Sequence, residues 1–219
     1  DGLLTSAGAL AIGREAATGR ISGSTLSTVT TSQTYTSYGE PWTTTARVGG
    51  SAVYSYTLER SALSSRIEGK TETIGGVTTT TAYGYDAAGR LETVTVNGTV
   101  TATYGYDPNG NRTSRTSSSG TEVGVADEQD RLTSYGGASY TYRAPGAMES
   151  RTDGAGTTWY DYDALGALRA VLLPDGRRLD YIIDGASRRI GKKVNGILAE
   201  GFLYEGKLRP VAWLDGAGQ

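Results

Sequence analysis

Four aspartates, Asp86, Asp107, Asp163 and Asp184, recur along the chain and are the residues whose type and spacing most invite a chemical role. Repeated carboxylates can bind calcium or act as general acids. Each of these aspartates, however, opens a short turn-like segment, where its side chain can accept hydrogen bonds from the backbone amides that follow. The spacing matches neither an EF-hand nor a nonapeptide calcium repeat. The sequence therefore predicts that these aspartates build turns.

Histidine and cysteine are both missing from the 219 residues. Their absence removes the usual catalytic triads, thiol nucleophiles and the commonest metal ligands. Any catalysis would have to use carboxylates, lysine, tyrosine or serine alone. We therefore predict a protein that is not an enzyme and that has no metal site and no cofactor.

The aromatic residues offer a second kind of chemistry, because tyrosine and tryptophan can stack on sugar rings. The three tryptophans are Trp42, Trp159 and Trp213. Aromatic residues at strand spacing more often pack against one another, which is the reading we favour. A module that binds cell-surface glycans is the alternative. Wall-binding repeats of similar length depend on recurrent Gly-Trp and Trp-Tyr steps, and here only Trp159-Tyr160 qualifies.

Two further short signals are weaker. Asn97–Thr99 and Asn111–Thr113 match the N-glycosylation pattern, but both asparagines are already explained by turn geometry. The run Arg188–Lys193 carries the basic cluster Arg188, Arg189, Lys192 and Lys193. We expect these side chains to alternate along a strand as a solvated face, with a partner site as the less favoured alternative.

The bulk composition excludes several partners. The formal net charge is −2 with both signs scattered, so the chain has no electrostatic footprint for nucleic acid or for anionic lipid. No apolar run approaches the ~20 residues of a membrane span. With 32 glycines, 15 tyrosines and 37% hydrophobic residues, we expect short strands, tight turns and a thin core to which tyrosine contributes much of the buried area.

The aspartates belong to a motif that recurs ten times at about 21 residues. It reads tyrosine or another large apolar residue, any residue, tyrosine, aspartate, two residues, glycine and arginine. The clearest copies contain Tyr83, Tyr85, Asp86, Gly89 and Arg90, then Tyr104, Tyr106, Asp107 and Gly110, then Tyr160, Tyr162, Asp163 and Gly166. Other copies retain Tyr140, Tyr142 and Gly146, then Tyr181, Asp184 and Arg188, then Tyr204 and Arg209. The position after the motif glycine, called the marker, falls at Arg20, Glu40, Arg66, Arg90, Asn111, Arg131, Ala147, Ala167, Arg188 and Arg209.

The motif predicts the end of a strand followed by a turn. Tyr83 and Tyr85 lie two residues apart and so point to the same face of a strand. The segment Asp107–Gly110 has aspartate, proline and glycine where a type I turn prefers them. Arg90 lies across the turn from Asp86, where it can pair with the carboxylate or stack on Tyr85.

A second turn signal follows most markers by eight to ten residues. It is found at Gly49-Gly50, Gly75-Gly76, Asn97-Gly98, Gly120, Gly156, Asp175-Gly176, Asn195-Gly196 and Gly218. Each repeat then contains two strands and two turns, with Leu214–Gln219 assigned to such a second turn. The predicted fold is all-β, a single array of tandem hairpins over residues 1–219 with about twenty antiparallel strands.

A sheet of this width is expected to curl. Open sheets rarely exceed ~10 strands, and about twenty strands spaced ~4.8 Å apart would close into a ring about 30 Å across. Side chains cannot fill such a ring, because barrels are already packed at about eight strands. The strand number therefore predicts a hollow.

At the motif residues, the chain resembles the RHS or YD-repeat family, found in bacterial RHS proteins, the B and C components of toxin complexes and animal teneurins. The resemblance covers the whole chain. It implies a curved, spiralling sheet that forms part of a hollow β-shell, with tyrosines of successive repeats stacked in cross-strand ladders. The family's self-cleaving aspartate core and toxic domain match no residue here, so we expect a fragment of a longer protein.

The resemblance also implies a function. We expect a non-catalytic structural segment of a shell that encloses a C-terminal toxin or effector polypeptide, secreted by or displayed on a bacterium. Its partners would be the rest of its own parent chain and the enclosed polypeptide. Exposed edge strands would also allow self-association.

Overall fold

The computed structural model describes residues 2–206 and 208–219, and this part of the chain consists of strands and turns without a helix. The strands of the first half are β1 Ser6–Ala7, β2 Leu10–Arg14, β3 Ile21–Leu26, β4 Val29–Tyr35, β5 Pro41–Val48, β6 Ser51–Arg60, β7 Ile67–Ile74, β8 Val77–Tyr85, β9 Leu91–Val96 and β10 Thr99–Tyr106. Those of the second half are β11 Arg112–Ser117, β12 Gly120–Ala126, β13 Leu132–Tyr135, β14 Ala138–Tyr142, β15 Met148–Asp153, β16 Gly156–Tyr162, β17 Leu168–Leu172, β18 Arg178–Ile183, β19 Arg189–Val194, β20 Ile197–Glu205 and β21 Arg209–Asp215.

The strands belong to two compact units. Unit 1 comprises Asp1–Gly105 and Arg115–Gly120, and unit 2 comprises Tyr106–Ser114 and Thr121–Gln219. In unit 1, strands β1 to β10 pair in chain order, each antiparallel to the next. In unit 2, strands β12 to β21 do the same. The predicted all-β class of tandem antiparallel hairpins is thereby confirmed.

Two kinds of turn recur between successive strands. One kind is a two-residue loop with both residues at positive φ, as at Asn97 (φ 48°) and Gly98 (φ 81°). This backbone is a type I′ turn, whose twist matches that of the strands it joins. The other kind is the motif turn, in which the first residue's N–H donates to the marker carbonyl, as from Asp86 to Arg90 at 2.9 Å.

Three turns differ from the sequence prediction. The pair Gly136-Gly137 (φ 55° and 84°) forms a two-residue loop that the spacing rule missed. The segments Leu173–Arg177 and Asp215–Gln219, both assigned to second turns, have the hydrogen bonds of motif turns instead. Their aspartates, Asp175 and Asp215, accept backbone N–H groups within these turns.

A β-bulge accompanies nearly every motif turn. In the pairing of β8 with β9, Gly84 faces Thr93 but Tyr85 faces Leu91, which leaves Glu92 as an extra residue. The same shift stands before the motif turn in the pairs β2–β3, β4–β5, β6–β7, β12–β13, β14–β15, β16–β17, β18–β19 and β20–β21. A bulge bends the strand and increases its twist. The repeat therefore has curvature built in at one end of each hairpin.

The two faces of the sheet differ in composition within unit 1. Tyr56, Leu58, Tyr83, Tyr85 and Leu91 line one concave surface, which we call the tyrosine face. The opposite face is rich in threonine and serine, with cross-strand hydroxyl pairs such as Thr73 to Thr78 at 2.9 Å. Tyr83 and Tyr85 share the tyrosine face, which confirms the predicted alternation.

The core is thin. Among the described residues, the buried hydrophobic side chains are small, namely Ala102, Ala138, Ala170 and Val171, and no large side chain is fully buried. Many large apolar residues remain exposed on the strands. Stability must therefore come from contacts between repeats, which are described next. None of the described segments is a helix long and apolar enough to cross a membrane.

Candidate functional site: clamps between repeats

Each motif aspartate fixes its turn and its marker residue together. Asp86 Oδ1 accepts the backbone N–H of Arg90 at 2.8 Å, and Asp86 Oδ2 accepts Arg90 Nε at 2.7 Å. Asp127 with Arg131 and Asp184 with Arg188 repeat this pattern at 2.8 to 3.0 Å. The predicted pair across the turn is therefore present, and the aspartate serves the turn as the sequence indicated.

These hydrogen bonds favour the charged carboxylates. The backbone hydrogen bond from Arg90 holds the pKa of Asp86 below its usual value, and the same interaction from Arg188 lowers the pKa of Asp184. For Asp127 the main cause of the lowered pKa is the side-chain hydrogen bond from Arg131. A carboxylate that stays charged and bonded to its own turn is poorly suited to act as a general acid.

Two motif aspartates bind markers that are not arginine. Asp107 accepts the backbone N–H of Asn111 at 2.8 Å and its side-chain Nδ2 at 2.9 Å, and this side-chain bond lowers the pKa of Asp107. Asp163 accepts the backbone N–H groups of Leu165 and Ala167, both at 2.9 Å. Gly110 and Gly166 follow at positive φ, 95° and 84°. The turn is thus independent of the marker side chain.

The tyrosine before the turn reaches back to the preceding repeat. Tyr85 donates its hydroxyl to the carbonyl oxygen of Ile67 at 2.6 Å, and Ile67 follows the marker Arg66. Three more tyrosines make the equivalent bond, from Tyr35 to Ile21 at 2.7 Å, Tyr142 to Leu132 at 2.8 Å and Tyr204 to Arg189 at 3.0 Å. We call this tyrosine, the marker it reaches and the carbonyl after that marker a clamp.

The marker arginine completes the clamp by lying over the tyrosine ring. The guanidinium of Arg66 lies 5.7 Å from the centre of the Tyr85 ring. Equivalent distances are 5.6 Å for Arg20 and Tyr35, 5.2 Å for Arg131 and Tyr142, and 5.1 Å for Arg188 and Tyr204. The stack on Tyr85 is thus made by Arg66 of the preceding repeat, whereas the prediction named Arg90. Such contacts are worth about 0.5–1 kcal/mol at exposed sites.

The predicted ladder of stacked tyrosine rings differs from the observed contacts. One ring pair joins Tyr54 and Tyr56, which lie on the same strand with centres 6.1 Å apart. Between repeats, the clamp tyrosines meet guanidinium groups and carbonyl oxygens. The reason is that the marker arginine lies between the turn of one repeat and the ring of the next.

The motif glycine also contacts the preceding marker. A Cβ atom added to Gly89 would overlap the guanidinium of Arg66, and one added to Gly39 would overlap that of Arg20. Both glycines also have positive φ, 78° and 82° respectively. A side chain at either position would therefore be strained by its backbone and would force the guanidinium to shift.

Repeats that depart from the motif replace the clamp with another interaction. In the third repeat Arg60 stands in place of the tyrosine, and the preceding marker is Glu40 in place of arginine. Arg60 Nη2 donates to the carbonyl of Pro41 at 3.2 Å, and its Nε lies 3.9 Å from Glu40 Oε2. In the eighth repeat the marker before Tyr162 is Ala147, and Arg143 from the start of that turn lies over the ring at 5.8 Å.

The motif did not predict these replacements, because it was matched to one repeat at a time and includes neither Arg14 nor Arg60. Arg14 Nε also donates to a carbonyl, that of Leu4 at 2.9 Å. The signal was the joint change at a clamp position and the preceding marker.

The other predicted motif tyrosines lie on the same strands. The guanidinium of Arg189 lies 5.2 Å from the centre of the Tyr181 ring. Tyr140 hydrogen bonds Arg151, and this bond raises the pKa of Arg151. Tyr104 and Tyr106 end β10, and Tyr160 stands two residues before Tyr162 on β16. Gly146 has φ 93° in its motif turn, and Arg209 lies 3.3 Å from Glu205.

Charged side chains that could take part in catalysis or binding form ion pairs with one another. Lys70 Nζ lies 2.5 Å from Glu72 Oε1, and this hydrogen bond raises the pKa of Lys70. A lysine held in its charged form is a poor nucleophile. The basic run Arg188–Lys193 is also engaged, because Arg188 pairs with Asp184 and Lys192 with Glu200. Within the described residues, no group of three or more metal-ligating side chains is present.

The tryptophans and the glycosylation signals are placed as follows. Trp42 and Trp159 are each 49% exposed and Trp213 is 63% exposed. Trp213 Nε1 donates to Glu200 at 3.0 Å. Asn97 has positive φ and its Oδ1 accepts the backbone N–H of Thr80 at 2.9 Å, so its role in the turn is as predicted.

Comparison with known proteins identifies relatives of this repeat. The profile of the Teneurin YD-shell family matches residues 1–212. Mouse teneurin-3 is 33% identical over 121 residues, which is 54% of this chain and 4% of that protein. Human teneurin-1 is 32% identical over 114 residues, 51% of this chain and 4% of that protein. The chain thus spans about 4% of the length of these relatives.

A solved structure shows the same fold. The crystal structure of TcdB2-TccC3-TEV superposes with a TM-score of 0.56 and 13% identity, covering 89% of this chain and 12% of that one. At this identity the likeness concerns the fold alone.

Proposed function

This chain belongs to the Teneurin YD-shell family, and on that premise we propose that it is a non-catalytic wall segment of a hollow shell that encloses a C-terminal toxin or effector polypeptide. The observation that carries the proposal is the repeated clamp, which joins a hairpin to the previous one at the same end through Tyr35, Tyr85, Tyr142 and Tyr204. We propose that the whole chain acts as one array, with the motif residues serving the wall rather than a reaction.

The clamps and bulges support a wall for a mechanical reason. Each clamp adds a hydrogen bond and a cation–π contact between neighbouring repeats, and each bulge bends the sheet near that contact. Repetition of one bend in one direction curves a sheet progressively. A repeat array whose units contact mainly their neighbours can extend in this way without a thick core.

Confinement would be the mechanism. A continuous hydrogen-bonded wall excludes outside partners from the enclosed polypeptide and hinders its complete folding until release. The thin core and the exposed faces suit a wall that has an inner and an outer surface. The parent protein would then supply the rest of the wall.

Limited proteolysis of the full parent protein tests this proposal. We expect the polypeptide that follows the shell to resist protease while attached and to be cleaved rapidly once the shell is unfolded in denaturant. Cleavage of the attached polypeptide as fast as of the same polypeptide expressed alone would refute enclosure. A shell variant with an exposed surface change, such as Glu92→Gln, is the matched control and should protect fully.

We also propose a secreted or surface-displayed location on a bacterium, with self-association through edge strands. An exposed edge strand offers unpaired backbone groups to another chain. Fractionation of the source cells tests the location, and sedimentation velocity of the isolated chain tests the association. Recovery of the parent protein only from the cytoplasm, or a monomer at all concentrations, would contradict the respective statement.

A glycan-binding module is the second candidate, favoured by the exposure of Trp42, Trp159 and Trp213. Exposed aromatic rings can stack on sugar rings. A glycan array with the native chain and with Trp159→Ala distinguishes the two functions. Binding that the substitution removes would favour the module, and an array without binding would favour the wall.

A further inference from the structure

One repeat has neither the clamp tyrosine nor the marker arginine, and Arg112, which follows the marker, lies over the Tyr135 ring at 4.9 Å. In the sixth repeat the clamp position is Ala126 instead of tyrosine, and the preceding marker is Asn111 instead of arginine. Both long side chains of an ordinary clamp are therefore missing from the same place. An open notch of about 520 Å³ lies there, lined by Tyr106, Asn111, Arg112, Ala126, Asp130, Leu132, Tyr135 and Tyr140.

The motif glycine of this repeat is also changed, and in a compensating way. Asp130 occupies the glycine position with φ 59°, and its Oδ1 accepts Asn111 Nδ2 at 2.6 Å and Asn109 Nδ2 at 2.9 Å. At Gly89 a side chain would displace the guanidinium of Arg66, whereas the shorter Asn111 leaves room for a carboxylate. The two turns thus remain joined while the space beside Ala126 stays open.

Tyr135, one of the residues that line the notch, carries a buried polar atom without a partner. The hydroxyl oxygen of Tyr135 is buried and makes no hydrogen bond in the described part of the chain. A buried hydroxyl without a hydrogen bond costs about 1–3 kcal/mol. An occupant that hydrogen bonds Tyr135 would recover that cost, so the atom points to a polar group on whatever fills the notch.

We propose that the notch binds the phenol side chain of a tyrosine from another polypeptide segment. The shape argument is that this position holds the chain's own tyrosine in the neighbouring repeats. The aromatic and apolar walls formed by Tyr106, Tyr140 and Leu132 suit the ring. The Asp130 carboxylate and the Tyr135 hydroxyl suit the phenolic O–H. The volume lies within the ~300–1,000 Å³ of ligand pockets.

This proposal does not require that the chain encloses a polypeptide. It concerns the binding of one kind of side chain in one notch, so it can be tested independently of the wall function. The probes are p-cresol, which is the side chain of tyrosine, and N-acetyl-tyrosine amide, with N-acetyl-phenylalanine amide and N-acetyl-serine amide for comparison.

Titration of the full 219-residue chain with these probes, followed by NMR chemical shifts, tests the site. We expect saturable shifts for p-cresol and N-acetyl-tyrosine amide, centred on the amides of residues 126, 130, 132 and 135. The phenylalanine probe should bind more weakly and the serine probe should not bind. Absence of saturable binding by p-cresol would overturn the proposal.

Substitutions give the second arm of the test. Ala126→Tyr fills the notch with the chain's own phenol and should weaken p-cresol binding about tenfold or more. Ile183→Tyr is the matched control, because it adds a tyrosine at the equivalent position of the ninth repeat and should leave binding unchanged. Equal p-cresol affinity in the native chain and in a folded Ala126→Tyr variant would overturn the proposal.

Tyr135→Phe keeps the ring and is the variant of choice if Ala126→Tyr fails to fold. Loss of one hydrogen bond should weaken p-cresol binding roughly two- to tenfold. Binding of the phenylalanine probe should not change. If Tyr135→Phe leaves p-cresol affinity unaltered, the hydroxyl does not hold the phenol and the proposed recognition is wrong.

Discussion

At the scale of single residues, the same contact is made by different side chains in different repeats. The carbonyl after a marker receives a hydrogen bond from Tyr85 in one repeat and from Arg60 in another. What recurs is a long donor side chain at the clamp position and a group on the preceding marker that complements it. Phenol with guanidinium satisfies this requirement, and guanidinium with carboxylate does so as well.

The tyrosine hydroxyl gives the first prediction. Tyr85→Phe removes the hydrogen bond to Ile67 and should lower the free energy of unfolding by about 0.5–1.5 kcal/mol, as measured by urea denaturation. Tyr83→Phe on the same strand is the control, because among the described residues the Tyr83 hydroxyl has no hydrogen-bond partner. Equal losses for the two variants would show that the clamp bond contributes nothing.

The motif glycine gives the second prediction. Gly166→Ala meets no atom within 4 Å, so it should cost only the strain of a side chain at φ 84°, about 1–3 kcal/mol. Gly89→Ala should cost more, because its Cβ overlaps the Arg66 guanidinium. Adding Arg66→Ala to Gly89→Ala should remove the excess. Thermal denaturation of the four chains checks this, and an unchanged excess in the double variant would disprove the contact.

At the scale of turns and strands, the motif turn recurs together with a bulge that bends the strand before it. Leu173–Arg177 and Asp215–Gln219 also form motif-type turns, although their spacing had indicated the other kind. The bulges recur at the clamp residues, so curvature and the contact between repeats occur at one place in each hairpin.

The turn carboxylates give a prediction about pH. The pKa values of Asp86, Asp107, Asp127 and Asp184 are lower in the folded chain than the ~3.9 of an unfolded aspartate. The folded chain therefore binds fewer protons, and these groups stabilise it fully above about pH 4. Stability should fall as the pH drops below about 4 through the lowered pKa values, and Asp86→Asn should make this fall smaller. Urea midpoints from pH 2 to 7 provide the measurement, and identical pH profiles would count against it.

The exchange at the sixth repeat gives a prediction about coupled turns. Asn111→Arg alone places a guanidinium against Asp130, and Asp130→Gly alone removes two hydrogen bonds. The double variant restores the ordinary marker and glycine pair. In a double-mutant cycle, the double variant should therefore be more stable, by about 0.5–3 kcal/mol, than the two single changes in the free energy of unfolding predict when they are added. Strict additivity would mean that the two turns are not coupled.

At the scale of the whole molecule, stability is expected to be local because each strand pairs with its neighbours in sequence. Repeat arrays behave approximately as sums of units and nearest-neighbour interfaces. A damaged clamp should therefore weaken its own unit first.

Tryptophan fluorescence can test this. Trp42 lies in unit 1, while Trp159 and Trp213 lie in unit 2. In a Trp159→Phe and Trp213→Phe background, Gly89→Ala should lower the urea midpoint reported by Trp42. In a Trp42→Phe background, the midpoint reported by the other two should move less. Equal shifts for both reporters would indicate one cooperative transition over the whole chain.

The sequence alone determined the strands, the turns and the membership of a repeat family, because these depend on short-range chemistry. Alternation placed Tyr83 and Tyr85 on one face, and aspartate with glycine marked the turns. The sequence did not show that Arg66 lies over Tyr85, since those two residues belong to different repeats and meet only when the strands pair.

The tertiary structure decided everything that joins one repeat to the next. The bulge at each clamp, the overlap of Gly89 with a guanidinium, and the notch beside Ala126 all depend on register between strands. Register brings together residues about 20 positions apart, and no local preference encodes it. For that reason the role of Arg60, which is not a motif residue, is visible only in the folded chain, where Glu40 and Pro41 lie beside it.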